Sequence, residues 1–163
     1  MRLFILSLLF LVAIVLAPAI CSAQLNKTKF GADSFRHRIK LTDQMLKGLG
    51  KAPEFADCYK FASDRLEATK IDLNGDRKPE ILVMISCGNS STTNLFWLLR
   101  QKKRNYEPVF NVATLIIYFK NTRHHGFRDI VATGCTANTC FYQYFSFNTH
   151  RYVRTLLKER PVP

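Results

Sequence analysis

Residues 72–80 read DLNGDRKPE, and the apolar run ILVMI follows at once over residues 81–85. Asp72, Asn74, Asp76 and Glu80 put oxygen-bearing side chains at the first, third, fifth and ninth positions, and Lys78 at the seventh can offer its backbone carbonyl. A hard cation such as calcium takes a shell of roughly six to eight oxygens, and alternating donors can wrap one. These five residues are therefore the candidate calcium ligands. An EF-hand needs Glu at the twelfth position, but Val83 stands there, so this is not an EF-hand. The sixth position, where such loops turn through positive φ, holds Arg77. A side chain there costs about 1 kcal/mol and brings a positive charge beside the ion. A second reading needs no metal. Asp72 and Asp76 can cap backbone N–H groups, Gly75 can reverse the chain, and Pro79 can fix the start of the next strand. On either reading the turn feeds Ile81–Ile85, which is apolar on both faces and so reads as a central strand.

Downstream, short apolar runs alternate with polar turns. CGNSSTTN (residues 87–94) is a polar loop, NLFWLLRQ (94–101) a strand, and Lys102–Asn105 a basic hairpin tip. Strands are expected near residues 106–112, 115–119, 129–132 and 141–147, followed by a turn at 148–150 and a frayed tail from Lys158. Upstream, Leu66–Leu73 is strand-like, and Asp33–Gly50 reads as a helix from the spacing of Ile39, Leu41, Met45, Leu46 and Leu49. Residues 53–61 add a further turn of helix carrying Cys58. The expectation is an α+β domain: an N-terminal helical part over about 33–61, then an antiparallel β-meander of about seven strands over about 65–154.

The first residues read as a signal peptide: Arg2, then an apolar stretch from Leu3 to Leu16, then Pro18 and small residues. Cleavage after Ala23 is the reading adopted, because it removes Cys21 and leaves an even number of cysteines. The expected product is one exported domain, residues 24–163, in the periplasm or outside the cell. In an oxidising compartment Cys58, Cys87, Cys135 and Cys140 suggest two disulfides, with three possible pairings. The short CTANTC segment favours Cys135–Cys140, which leaves Cys58 with Cys87.

The chain carries a formal charge of +12. From Ile81 onward, eleven Lys or Arg stand against Glu107, Asp129 and Glu159. Such an excess attracts anions. Its densest cluster is Lys102, Lys103 and Arg104, the candidate anion-binding residues.

At this point the chain resembles a family. DLNGDRKPEILV is similar to the calcium-loop turn of integrin-like β-propeller blades, the FG-GAP type. Residues 71–153 resemble small exported bacterial proteins that carry one copy of that turn. The matching pieces are NLFWLLR, then Gly126, Phe127, Arg128, Asp129 and Ile130, then Phe147, Asn148 and Tyr152. The resemblance implies a propeller-blade-like meander and an exported protein, and it brings no activity with it.

Catalytic signals are weak. His124 and His125 beside Arg123 suggest at most a nuclease-like acid–base pair, yet adjacent strand residues point to opposite faces. There is no G-x-S-x-G elbow, no H-E-x-x-H and no phosphate-binding glycine loop. Trp97, Phe96 and the aromatics of residues 141–147 can form either a stacking platform or a core. The reading is an exported, non-catalytic binding module whose basic surface meets an anionic macromolecule or acidic protein. The alternative is an inhibitor or immunity protein against a secreted or periplasmic hydrolase.

Overall fold

The computed structural model describes residues 29–31, 34–35, 38–52, 66–86 and 94–162. The N-terminal stretch expected to be a signal peptide, the expected helical turn at residues 53–61 with Cys58, and Cys87 lie outside them. The described elements, in chain order, are β1 (Lys29–Phe30), α1 (Asp43–Leu49), β2 (Leu66–Ile71), β3 (Glu80–Ser86), β4 (Asn94–Lys102), β5 (Asn105–Thr114), β6 (Ile116–His124), β7 (Phe127–Cys135), β8 (Thr139–Phe147) and β9 (Tyr152–Pro161).

These strands form two antiparallel sheets, ordered β2-β3-β4-β5 and β1-β6-β7-β8-β9. The α+β expectation of a helix leading into one propeller-blade-like meander is overturned. The fold is mostly β, a sandwich in which the chain changes sheets at Leu115. The reason is burial. Leu82, Met84, Phe96, Leu98 and Phe110 of the four-stranded sheet need cover, and so do Ile117, Phe119, Ile130, Ala132, Phe145 and Phe147 of the other. Each set covers the other across one shared core.

A second core lies on the outer face of the four-stranded sheet, where Met45 and Leu49 of α1 pack on Ile81, Val83, Ile85, Trp97 and Leu99. The strands β3 and β4 are therefore buried on both faces, which is why their sequences are continuously apolar. Phe96 and Trp97 point into different cores, and each burial contributes roughly 1.5–3 kcal/mol.

The helix is much shorter than residues 33–50. Thr42 caps it, its hydroxyl accepting the Met45 N–H at 3.4 Å. Residues 38–42 are not helical, and Ile39 N donates to the Ala68 carbonyl at 2.9 Å. Ile39 and Leu41 pack against the second core as alternate residues of that segment, not as a helix face. The C-terminal tail is also corrected: β9 pairs with β8 as far as Pro161 opposite Thr139. No helix among the described residues is long and apolar enough to cross a membrane.

Candidate functional site

The turn of residues 72–80 joins β2 to β3 and is held by its own side chains. Asp72 accepts the N–H of Gly75 at 2.7 Å through Oδ1 and that of Arg77 at 3.1 Å through Oδ2. Asn74 Oδ1 accepts Asp76 N at 3.0 Å, and Asp76 Oδ1 accepts Lys78 N at 2.7 Å. Gly75 and Arg77 both take positive φ, 82° and 63°. Arg77 thus stands in the left-handed conformation that the loop spacing assigns to its sixth position.

Glu80 differs from the other oxygens. It is buried, and its Oε2 accepts the Leu73 N–H at 3.0 Å. Burial, helped by the nearby charges of Asp76 and Asp72, pushes its carboxyl up to about 7. In donor chemistry Asp72, Asn74 and Asp76 fit a hard cation, and Asn74 Nδ2 lies 3.0 Å from Asp76 Oδ2. Among the described residues, however, no group of three or more His, Cys, Asp or Glu side chains is placed to hold a metal.

The turn is also fastened to the other sheet. The Leu73 carbonyl accepts Arg128 N at 3.1 Å and Arg123 Nη1 at 2.8 Å, and Arg123 Nη1 also donates to the Gly126 carbonyl at 2.7 Å. Gly126 and His125 form the β6–β7 hairpin turn, both at positive φ as a type I′ turn requires. The two turns are therefore pinned together at one end of the sandwich.

Lys102, Lys103 and Arg104 are exposed at the β4–β5 turn. Lys102 Nζ lies 3.4 Å from Glu107 Oε2, which offsets part of the cluster's charge. Cys135 and Cys140 are bridged, across the end of the β7–β8 hairpin. The other expected pair falls outside the described residues.

Among the described residues, His124, His125 and His150 do not converge on an acid–base pair. His124 Nδ1 lies 2.7 Å from Asp129 Oδ1, while the Thr122 hydroxyl donates to Asp129 Oδ2 at 2.6 Å. Burial alone would raise the Asp129 carboxyl, but hydrogen bonds from Thr122, His124 and Ser146 outweigh it and hold it below the usual range. His125 occupies the neighbouring turn, and His150 lies in the β8–β9 connection beside Thr149.

A different surface brings aromatic rings and cations together. On β8, Phe145 and Phe147 face the shared core, so Tyr142 and Tyr144 face outward with the opposite parity. Tyr118 of β6 shares a cross-strand row with Tyr144 through Val131. Lys29 lies 5.9 Å from the Tyr118 ring, Lys120 and Lys158 lie 5.9 and 5.7 Å from the Tyr144 ring, and Arg160 lies 5.8 Å from the Tyr142 ring. All four distances are cation–π contacts. The outer face of the five-stranded sheet thus carries three half-buried tyrosines interleaved with four cations. The sequence held one signal for it: in FYQYFSF, residues 141–147, the hydroxyl-bearing rings share one parity and Phe141, Phe145 and Phe147 share the other.

No family model, no curated protein and no solved structure matches this chain.

Proposed function

We propose that this chain is an exported, non-catalytic binding module that takes an anionic polymer on the outer face of its five-stranded sheet. One observation carries the reading: Tyr118, Tyr142 and Tyr144 lie on that face with Lys29, Lys120, Lys158 and Arg160 against their rings. Flat rings stack on bases or sugars at roughly 1–3 kcal/mol each in the nucleic-acid case, and the cations supply long-range attraction. Tyr142 and Tyr144 are two residues apart on one strand, so their rings sit about 7 Å apart and can take successive units of a polymer. The Lys102–Arg104 turn belongs to the other sheet, where it steers an approaching anion and does not form the stacking surface.

The test measures binding of a sulfated glycan and of single-stranded DNA by fluorescence anisotropy against salt. Tyr142→Ala with Tyr144→Ala is expected to weaken the preferred polymer at least roughly tenfold without changing the melting temperature much. Unchanged affinity in that double variant would place the binding surface elsewhere.

Calcium at the 72–80 turn is a second reading, favoured by the oxygen donors of Asp72, Asn74 and Asp76 at alternating positions of a turn in which Gly75 and Arg77 take positive φ. Those three residues would hold the ion. When bound it would supply positive charge that offsets the repulsion among Asp72, Asp76 and Glu80.

A further inference from the structure

The two sheets leave one side of the sandwich open, between their edge strands β5 and β9. A cavity of about 410 Å³ lies there. That volume is in the range of ordinary small-ligand sites, roughly 300–1,000 Å³. Its floor is apolar: Val109, Phe110 and Phe145 are all buried. Phe110 meets Phe145 edge-on at 5.0 Å and Tyr152 at 5.6 Å, so the floor is an interlocked ring cluster joining the two sheets.

The rim has the opposite character. Lys51, Arg151 and Arg154 line the cavity, and among the described residues no Asp or Glu does. None of the three cations forms an ion pair among the described residues, whose salt bridges are Arg38–Glu67, Lys102–Glu107 and His124–Asp129. The position of Arg154 is informative. It is in register with Phe145, on the inner side of the five-stranded sheet, where closing the core would call for an apolar side chain. Its Nη1 makes one long hydrogen bond, 3.4 Å to Gln143 Oε1, and the remaining N–H groups can serve an anion. Lys51 follows α1, which packs on the outer face of the four-stranded sheet, and adds a third cation to the cavity's lining.

We propose that this cleft binds a small aromatic anion: a ring system on Phe110 and Phe145, with a carboxylate, sulfonate or phosphate held by Arg151, Arg154 and Lys51. The site is independent of the tyrosine face, since its cations and rings line the gap between the sheets and the tyrosines cover the outside of one of them. Guanidinium groups hold carboxylate, sulfonate or phosphate oxygens by paired N–H donors, and the apolar floor takes the ring.

Two probes with the same aromatic body test this: anilinonaphthalene sulfonate and the neutral N-phenylnaphthylamine. The full exported chain is titrated with each, following fluorescence. The sulfonate is expected to bind at one saturable site, at least roughly tenfold tighter than the neutral probe. Arg151→Gln with Arg154→Gln is expected to remove that preference and leave the neutral probe's weak binding and the melting temperature unchanged, because both arginines are exposed. Amide shifts induced by the sulfonate should centre on Val109, Phe110 and Tyr152. Equal affinity for the two probes, wild-type sulfonate binding by the double variant, or shifts centred on Tyr142 and Tyr144 would each overturn the proposal. The last outcome would leave the polymer-binding face standing, and loss of polymer binding in the tyrosine variants would leave the cleft standing.

Discussion

The Glu80 carboxylate lies beneath its own turn and accepts the backbone N–H of Leu73 at 3.0 Å. The same Leu73 gives its carbonyl to Arg128 N and Arg123 Nη1 from the other sheet, and its side chain is fully buried in the shared core. One residue of the turn thus joins the β2–β3 connection to both sheets. A Glu under that residue satisfies a buried N–H that would otherwise go unpaired. It also places an acid where water does not reach, and its pKa is raised accordingly.

That pKa has a consequence for stability. The folded state holds the Glu80 proton more tightly, at about 7 against an ordinary 4.5. The stabilisation is therefore fully present below pH 4.5 and is lost as pH rises through about 7. Between those limits the wild type is expected to lose on the order of 2 kcal/mol, read as a falling melting temperature. Glu80→Gln keeps an acceptor for Leu73 N and has no proton to lose, so its profile should be flatter over that window. A wild-type curve that is level or rising from pH 5 to pH 7.5, in buffer matched for ionic strength, would contradict a buried acid of this kind.

Arg77 holds φ at 63° with a side chain attached. Replacing it with Gly removes a strain of about 1 kcal/mol, while the freer unfolded chain takes part of that back. Arg77→Gly is expected to be more stable than wild type by roughly 0.5 kcal/mol in urea unfolding. A loss of stability would mean that the Arg77 side chain makes an interaction worth more than the strain.

How much of this was legible in the sequence depends on which residues decide each feature. Ile81–Ile85 identified β3 as central because both of its faces are covered, and that is a local property of the run. The turn, with positive φ at Arg77, was legible from alternating oxygens and Gly75 for the same reason. The division into two sheets was not. It rests on Phe110 meeting Phe145 and Tyr152 across the core, and no local pattern states which strands face each other. The helix was overread because Ile39, Leu41 and Met45 fit helical spacing, while Thr42 followed by Asp43 carried the truer signal, an N-cap. In the candidate site, the Lys102–Arg104 turn was visible as a charge run. The tyrosine face showed only in the parity of Tyr142 and Tyr144 and the cationic cleft not at all, because their members come from β1, β6, β8 and β9, and from the end of α1 with β5, β8 and β9.

Gly48 lies in α1 where the helix crosses β5. A Cβ built there would come within 2.7 Å of the Tyr106 carbonyl oxygen, a backbone atom that cannot step aside. Gly48→Ala would raise helix propensity by about 1 kcal/mol. The clash is expected to outweigh this and cost roughly 1–3 kcal/mol net, measured by urea unfolding. A more stable Gly48→Ala protein would show that α1 does not dock on β5 this closely.

The carboxylates of the 72–80 turn serve two readings that stability measurements separate. Asp72 accepts two backbone N–H groups, from Gly75 and Arg77, whatever else it does. In excess chelator, Asp72→Ala should therefore cost roughly 1–2 kcal/mol, the loss of a turn cap with charge-assisted bonds. Calcium adds a second effect if the loop holds it: millimolar ion then raises the wild-type melting temperature by mass action, and Asp76→Ala abolishes the rise. The Asp76 substitution removes the acceptor for Lys78 N as well, so its own chelator baseline is the proper reference. Asp72→Ala with wild-type stability in chelator would sink the cap reading. A wild-type melting temperature indifferent to calcium and chelator would leave the caps as the whole role of these oxygens, and the turn would act by fastening Leu73 between the two sheets.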